Sequence, residues 1–345
     1  MQAVHITAHG DPEVLEVVDI PRPVPGPGQV LLRVLAASVN HLDLWVRRGI
    51  PGVRIPLPRI PGCDGTGEVV EVGDDVRAVR VGQKAVLEPG FNDDLDSPHV
   101  RRGEDHLAAD YQIRGEHSDG FHAEYVVLAE RYVLPLPAAV DPETAAAVPL
   151  VFLTAWNALI ERARVRKGET VLVLGAGSGV GSAGIQIAAA EGCRVLTSAG
   201  SEEKRRLGLE LGAEEALDHR DPEWPKEVLR LTDGRGVDVV FEHVGPATFV
   251  GSLRVLARNG RLVTCGATTG PQVQVLLPHL FIKNQSILGS TMGPRSALPL
   301  IFDRIAAGTY RAVVDRKMPL ADVREAHRLL EDRAVVGKIV LLPGR

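Results

Sequence analysis

The stretch VLVLGAGSGVG at residues 171–181 constrains this chain more than any other: an apolar run passes without a gap into a glycine cluster and then a helical pattern, SAGIQIAAAEG. Glycines at such a turn let the backbone approach a pyrophosphate closely, and N–H groups at the start of the following helix stabilise its charge. Counted back from Gly181, the positions of a G-x-G-x-x-G fingerprint hold Ala176 and Ser178, so the fingerprint is broken. The dinucleotide reading therefore rests on strand-to-helix context rather than on glycine spacing. Its candidate residues are Gly175, Ala176, Gly177, Ser178, Gly179, Val180 and Gly181.

The same alternation continues downstream. RVLTSAG is a second apolar run, SEEKRRLGLELGA a second helix closed by Gly212, and VDVVFEHV, GRLVTCGA and QSILGSTM supply further strands. Strands and helices in turn imply a doubly wound parallel sheet, an α/β fold. The first third differs, with short apolar runs (QVLLRVLAASV, GTGEVVEVG, QKAVLEPG, HAEYVVL) broken by Gly and Pro, as in a β-barrel or sandwich. From about Pro142 the pattern turns helical through PETAAAVPLVFLTAWNALIERARV. The tail ADVREAHRLLEDRAVVGKIVLLP reads as an amphipathic helix and one strand able to return to the first module. At 345 residues the chain exceeds a single core, which stops growing at roughly 250 to 300 residues. The expected division is 1–150, 151–289 and a returning segment 290–345.

A charged share of 24% and a net charge of −5 leave no basic excess to neutralise a phosphate backbone, which argues against a nucleic-acid partner. No run approaches the roughly 18 apolar residues of a membrane helix. The opening MQAVHITAHG reads as a strand and lacks the apolar core of a signal peptide. Cys63, Cys193 and Cys265 are odd in number and scattered, which fits a reducing compartment. A cytoplasmic protein with no membrane partner is expected.

Where NAD-specific enzymes carry an acid for the adenosine ribose, this chain has Gly200, followed by Ser201, Lys204 and Arg205. A hydroxyl and two cations suit a 2′-phosphate, so NADP(H) is favoured over NAD(H). The alternative is a solvated helix start with Ser201 as N-cap, a reading that Glu202 and Glu203 support.

GDPEVLEVVDIPRPVPGPGQVLLRVLAASVNHLDLWVRRG, PGCDGTGEVVEVG, GVDVVFEHVG, GRLVTCGATTG, SILGSTMG and GKIVL, together with the glycine turn, resemble the medium-chain dehydrogenase/reductase superfamily over almost the whole chain. The zinc-type alcohol dehydrogenase-like and quinone oxidoreductase-like branches are the most similar. The resemblance implies a GroES-like β-rich catalytic domain built from both chain ends, a Rossmann cofactor domain between them, a cleft for a small-molecule substrate, and homodimers or homotetramers. It places His219 near the adenosine phosphate. His243, Val244, Gly245, Cys265, Gly266, Ala267, Leu288, Gly289 and Ser290 fall on segments lining the dinucleotide cleft. SILGSTM becomes an edge strand that pairs with a symmetry mate.

Zinc-bearing relatives hold their metal with a cysteine, a His-Glu pair after a glycine and a further ligand. Here those positions carry Asn40, then Cys63 and Asp64 after Gly62, then the apolar Leu150, Val151 and Phe152; Leu42 replaces the start of a proton relay. An amide is a poor zinc ligand, so no metal residues are assigned and zinc is expected to be absent. A rearranged site of His41, Cys63 and Asp64 is the alternative. The four-cysteine lobe of relatives falls on Asp93, Asp96, His99 and Ala108. That stretch reads as a solvated acidic loop, or as a weak carboxylate–imidazole site that His106 completes.

Zinc-free relatives pass hydride to a quinone or to the β-carbon of a conjugated carbonyl, which needs alignment and exclusion of water rather than a metal. The enolate charge would be met by Asn40, His41 or a backbone N–H, with His41 or water giving the proton. Asp43 and Asp64 orient neighbours, and Thr154 matches the family threonine beside the nicotinamide. Three readings stay open: a zinc-free enone or quinone reductase, a zinc-type alcohol dehydrogenase with rearranged ligands, and a non-catalytic dinucleotide-binding protein.

Overall fold

The computed structural model describes residues 1–344. Arg345, the last residue of the expected returning segment, lies outside them. The chain forms two units, Met1–Leu150 together with the chain from Pro294 onward, and Val151–Gly293.

In the first unit the long strand Gln29–Ser38 is central because nearly every residue on both its faces is apolar and buried. It pairs antiparallel with Asp64–Val72, with Tyr125–Ala129 and with Lys338–Leu342 near the chain's end. Lys84–Leu87 and Val133–Pro135 extend the sheet on one side. On the other, Val314–Pro319 runs parallel to Lys338–Leu342. This last strand, VDRKMP, is invisible to apolar alternation because it is a charged edge, the composition that discourages pairing with other chains. Val30, Leu32, Val34, Val69, Leu87 and Phe121 fill one side of the core. A second cluster joins Ile6, Leu15 and Val46 to Leu320, Ile339 and Leu341, so both chain ends share one apolar interior.

Register decides what meets what at the sheet's centre. Ser38 lies opposite both Asp64 and Val340 on its two neighbouring strands. Lys338, two residues before Val340, is thereby brought level with Asn40, two residues after Ser38, and Val39 N–H donates to Ile339 O at 3.0 Å.

The second unit is a six-stranded parallel sheet in the order Glu215–Leu217, Arg194–Ser198, Thr170–Leu174, Val237–Glu242, Leu256–Thr264, Ser286–Gly289. In chain order this is 3-2-1-4-5-6, and the direction of winding reverses between Thr170–Leu174 and Val237–Glu242. The expected α/β class, with a β-rich module and a doubly wound parallel sheet, is what the chain adopts. The second boundary falls after Gly293, four residues beyond the expected 289. The Asn157 amide holds Ser290 Oγ (3.0 Å) and Thr291 O (2.9 Å), keeping that segment with the second unit. The helical run after Pro142 is also interrupted: Pro142–Ala145 and Pro149–Trp156 are separate, and Asn157–Arg162 is a π-helical turn. Pro149 has no N–H to continue the first piece. Among the described residues, no helix is long and apolar enough to cross a membrane.

Candidate active site and dinucleotide turn

Four of the expected catalytic residues meet in the first unit. Asn40 precedes the helix His41–Arg48 and Asp43 sits at its third position. One Asp43 oxygen accepts from Asn40 N–H (2.7 Å), and the other accepts from Gly62 N–H (2.9 Å). Asp43 thus ties the helix start to the turn that delivers Cys63 and Asp64. Gly62 has φ 94°, and a Cβ there would lie 2.3 Å from the His122 ring, so only glycine fits.

Asp64 is fully buried and saturated. Its Oδ1 accepts from Leu150 N–H (2.7 Å), and its Oδ2 accepts from Ser38 Oγ (3.1 Å), Asn40 Nδ2 (2.9 Å) and Lys338 Nζ (3.4 Å). Lys338 also donates to Asn40 Oδ1. The Asn40 amide, expected to face a substrate oxygen, is therefore engaged at both ends, with Nδ2 also 3.5 Å from Cys63 Sγ. Burial pushes the Cys63 thiol well above its ordinary range, and the nearby Asp64 and Asp43 carboxylates add to this. Burial likewise raises the Asp43 carboxyl, offset in part by His122. His122, itself fully buried, places Nε2 3.3 Å from Ser38 O, has no partner at Nδ1, and is held down mainly by burial. His41 is half-buried at the helix's first position. Thr154 is buried in Pro149–Trp156, in the second unit.

These residues do not fit a catalytic metal. The Asn40 oxygen faces an ammonium, both Asp64 oxygens are occupied by donors, and Cys63 is a buried neutral thiol. The acidic loop is committed elsewhere too. Asp93 accepts from Gln112 Nε2 (2.6 Å), Asp96 pairs with Arg101 (3.0 Å), and His99 contacts Glu104 and Arg102 (both 3.1 Å). Asp110 gathers the N–H groups of Asp93 and Asp94 at 2.8 and 2.7 Å. Ala108 has no ligating atom, and His106 is buried nearby. Among the described residues, no group of three or more His, Cys, Asp or Glu is placed to hold a metal ion.

In the second unit, the glycine turn leaves Leu174 at the winding reversal. Gly175 has φ 69° and returns the chain, and Ser178 caps the helix Gly179–Ala190 by accepting from Gly181 N–H (2.9 Å). A Cβ on Gly181 would stand 2.2 Å from Gly175 O, and one on Gly177 would stand 2.5 Å from the Lys204 side chain. Ala176 is buried, whereas Ser178, Gly179 and Val180 are half-exposed along the turn. This cradle fits a pyrophosphate. His243 sits beneath it: Nε2 donates to Leu174 O at 2.7 Å, and burial holds the ring neutral, with a pKa down to about 4. It supports the turn rather than contributing charge.

The segment after the strand Arg194–Ser198 holds more than the sequence suggested. Ser201 caps the helix Glu202–Glu210, as its alternative reading had it, by accepting from Lys204 N–H (3.3 Å). Arg205 pairs with Asp218 (3.0 Å), which also pairs with Arg220 (2.8 Å); its carboxyl is driven far below the usual range, chiefly by Arg220. A Cβ on Gly200 would meet Arg220 at 3.4 Å and His219 at 3.5 Å, and His219 Nδ1 lies 3.0 Å from Ser198 Oγ. Across the sheet, the buried Glu242 carboxylate accepts from Val244 N–H, Gly245 N–H and Thr248 Oγ1, shaping the Val244–Gly245 turn. Cys265 N–H donates to Glu242 O at 3.3 Å; burial pushes its thiol up to about 12, and Gly266 and Ala267 follow it. Leu288 and Gly289 end the edge strand, and Ser290 N–H donates to Thr264 O.

The family described as "Alcohol dehydrogenase GroES-like domain" matches residues 26–138, and "Zinc-binding dehydrogenase" matches residues 179–307. A human "Quinone oxidoreductase" is 30% identical, covering 99% of this chain and 98% of its own. The chain belongs to the medium-chain dehydrogenase/reductase superfamily, in its alcohol dehydrogenase and quinone oxidoreductase branch. It is an NAD(P)-dependent oxidoreductase. A Pseudomonas aeruginosa "Quinone oxidoreductase" is 32% identical over 99% of both chains. A solved structure described as an "NAD-dependent alcohol dehydrogenase" is 46% identical, with a TM-score of 0.97 over 100% of both chains.

Lys338, His122, Asp218, Arg220, Glu242 and Asn157 escaped the sequence reading. Only the GKIVL stretch had marked the neighbourhood of Lys338.

Proposed function

We propose that this superfamily member is an NADPH-dependent reductase of quinones or α,β-unsaturated carbonyls that works without catalytic zinc. The observation carrying the proposal is the closed polar cluster at Asn40, Cys63 and Asp64, where an internal ammonium leaves no donor set for a metal. Bound at the glycine turn, the nicotinamide cofactor supplies the hydride. Gly175, Ala176, Gly177, Ser178, Gly179, Val180 and Gly181 hold its pyrophosphate. Gly200, Ser201, Lys204, Arg205 and His219, with Arg220, receive the 2′-phosphate, and no acid follows directly at Gly200 to repel it. Asn40, Asp43 and Asp64 position the wall of the substrate site, since their polar atoms are already engaged. His41 or water would give the proton to the enolate carbon, and Thr154 would lie beside the nicotinamide.

The resemblance to an "NAD-dependent alcohol dehydrogenase" supports the second reading, alcohol and carbonyl interconversion with NAD(H). One preparation decides between them, analysed for metal and assayed with NADPH and NADH against enones, quinones, aldehydes and alcohols. Metal-free turnover of an enone or quinone with NADPH is expected; stoichiometric zinc with turnover of alcohols and aldehydes alone would overturn the proposal.

The working form is a cytoplasmic homodimer or homotetramer. The edge strand Ser286–Gly289, exposed except at the half-buried Leu288, and the exposed Leu276, Leu277, Phe281 and Ile282 offer apolar surface that a second copy would cover.

A further inference from the structure

Asp218 carries a charge that the reaction proposed above does not use. The parallel register sets Ser198 opposite Leu217, and Ala199 N–H donates to Leu217 O at 2.9 Å, so Asp218, His219 and Arg220 run beside Ala199, Gly200 and Ser201. The Asp218 carboxylate sits between two guanidiniums. Its Oδ2 lies 3.0 Å from Arg205 and accepts from Arg220 (2.8 Å), and its Oδ1 accepts from the Arg220 backbone N–H (2.9 Å) and from Arg220 Nε (3.1 Å). Arg205 reaches it from the helix Glu202–Glu210 and also donates to Ala199 O at 3.5 Å. A Cβ on Gly200 would lie 3.4 Å from the Arg220 side chain. Arg220 thus borders Gly200, and Arg205 borders the residue before it.

Arginine binds a phosphate strongly when its planar fork is available for two parallel hydrogen bonds. Here Arg220 already commits Nε and one terminal nitrogen to Asp218. The Asp218 carboxyl is driven far below its usual range, chiefly by its hydrogen bonds with Arg220, so near neutral pH protonation cannot relieve its repulsion of a second anion. Resting on the NADPH reading above, which brings a 2′-phosphate to Arg205 and Arg220, we propose that Asp218 is a resident anion that competes with that phosphate for the two arginines. Asp218, rather than the residue at 200 alone, then sets how far the protein discriminates between NADPH and NADH. The side chains of Asp218 and Arg220 are 30% and 66% exposed. Solvent and salt therefore screen the repulsion, and the effect is about tenfold in affinity rather than a block.

Adenosine 2′,5′-bisphosphate and adenosine 5′-monophosphate are the probes, titrated calorimetrically into the full chain and into Asp218→Asn, which keeps the shape and removes the charge. The variant is expected to bind the bisphosphate about tenfold more tightly than the wild type and the monophosphate within about twofold. The gain should shrink at high salt and vanish when Arg220→Gln is added. Weaker bisphosphate binding, which a role confined to holding the arginines predicts, would overturn the proposal, as would an equal change, or none, for the two probes. A wild type that prefers the monophosphate, with the gain present in the variant, refutes the NADPH reading and leaves the role of Asp218 standing. A wild type that prefers the bisphosphate, with no gain in the variant, refutes the role of Asp218 and leaves the NADPH reading standing. If Asp218→Asn does not fold, the wild type decides through the side-chain nitrogen-15 resonances of Arg205 and Arg220. Movement of both on saturation with the bisphosphate but not with the monophosphate supports the competition, whereas resonances that stay in place refute it.

Discussion

Replacing Glu88 by glutamine is expected to stabilise the protein increasingly as pH rises. Glu88 follows the strand Lys84–Leu87, is 5% exposed, and pairs with Arg295, Nε to Oε2, at 3.2 Å. Burial pushes its carboxyl from 4.5 up to about 7; Arg295 and Arg114 pull it down and Asp105 pushes it further up. The folded state therefore binds a proton more tightly than the unfolded chain does, and Glu88 costs stability as pH rises from 4.5 through 7. At about 1.36 kcal/mol per pKa unit, the difference between wild type and Glu88→Gln should grow by about 3 kcal/mol between pH 4.5 and pH 8, then level off. For a cooperative transition of 345 residues, that is about 4 °C in Tm. Arg295 should stay anchored in the variant, because its N–H donates to Asp105 Oδ1 (3.0 Å) and its guanidinium lies over Tyr132. Urea unfolding of both proteins at half-unit pH steps isolates the Glu88 contribution from the other carboxyls, which are common to both. A difference that stays flat across this window would refute the buried-acid reasoning.

Four further outcomes are expected. Gly200→Asp should cut kcat/KM for NADPH by about tenfold or more while sparing NADH, because the new carboxylate stands beside Arg220 and faces the 2′-phosphate. Gly181→Ala, whose Cβ would stand 2.2 Å from Gly175 O, should cost about 2 kcal/mol in thermal unfolding and weaken dinucleotide binding. Gly289→Ala, with nothing within 4 Å, should not change unfolding. Ile287→Asp, on the exposed edge strand, should shift the protein to monomer at micromolar concentration in sedimentation equilibrium.

What the sequence made legible divides along the distance between interacting residues. The glycine turn is local: strand, turn and helix lie within residues 170–190, and their chemistry reads directly from their order. The parallel sheet is nearly as local, since each apolar run is answered by the next helix. Even the broken fingerprint has a geometric reason, because the glycines that the packing requires are Gly175, Gly177 and Gly181, of which only Gly181 is a formal motif position. The catalytic cluster is different. Asn40, Asp43, Cys63 and Asp64 stood at addresses that resemblance could mark, but their state is set by Lys338, whose bond to Asn40 spans 298 residues of chain. Nothing in GKIVL distinguishes a lysine at the surface from one carried inward by strand register. Asp218 is comparable on a smaller scale. It follows an ordinary short strand, yet decides how Arg205 and Arg220 are held. In both places the type of residue at the site was legible and its charge partner was not. An Asn-Cys-Asp constellation facing an ammonium and the same constellation facing open space have different chemistry. The pairing of Lys338–Leu342 with Gln29–Ser38 selects the first, because it carries the ammonium to Asn40 and Asp64.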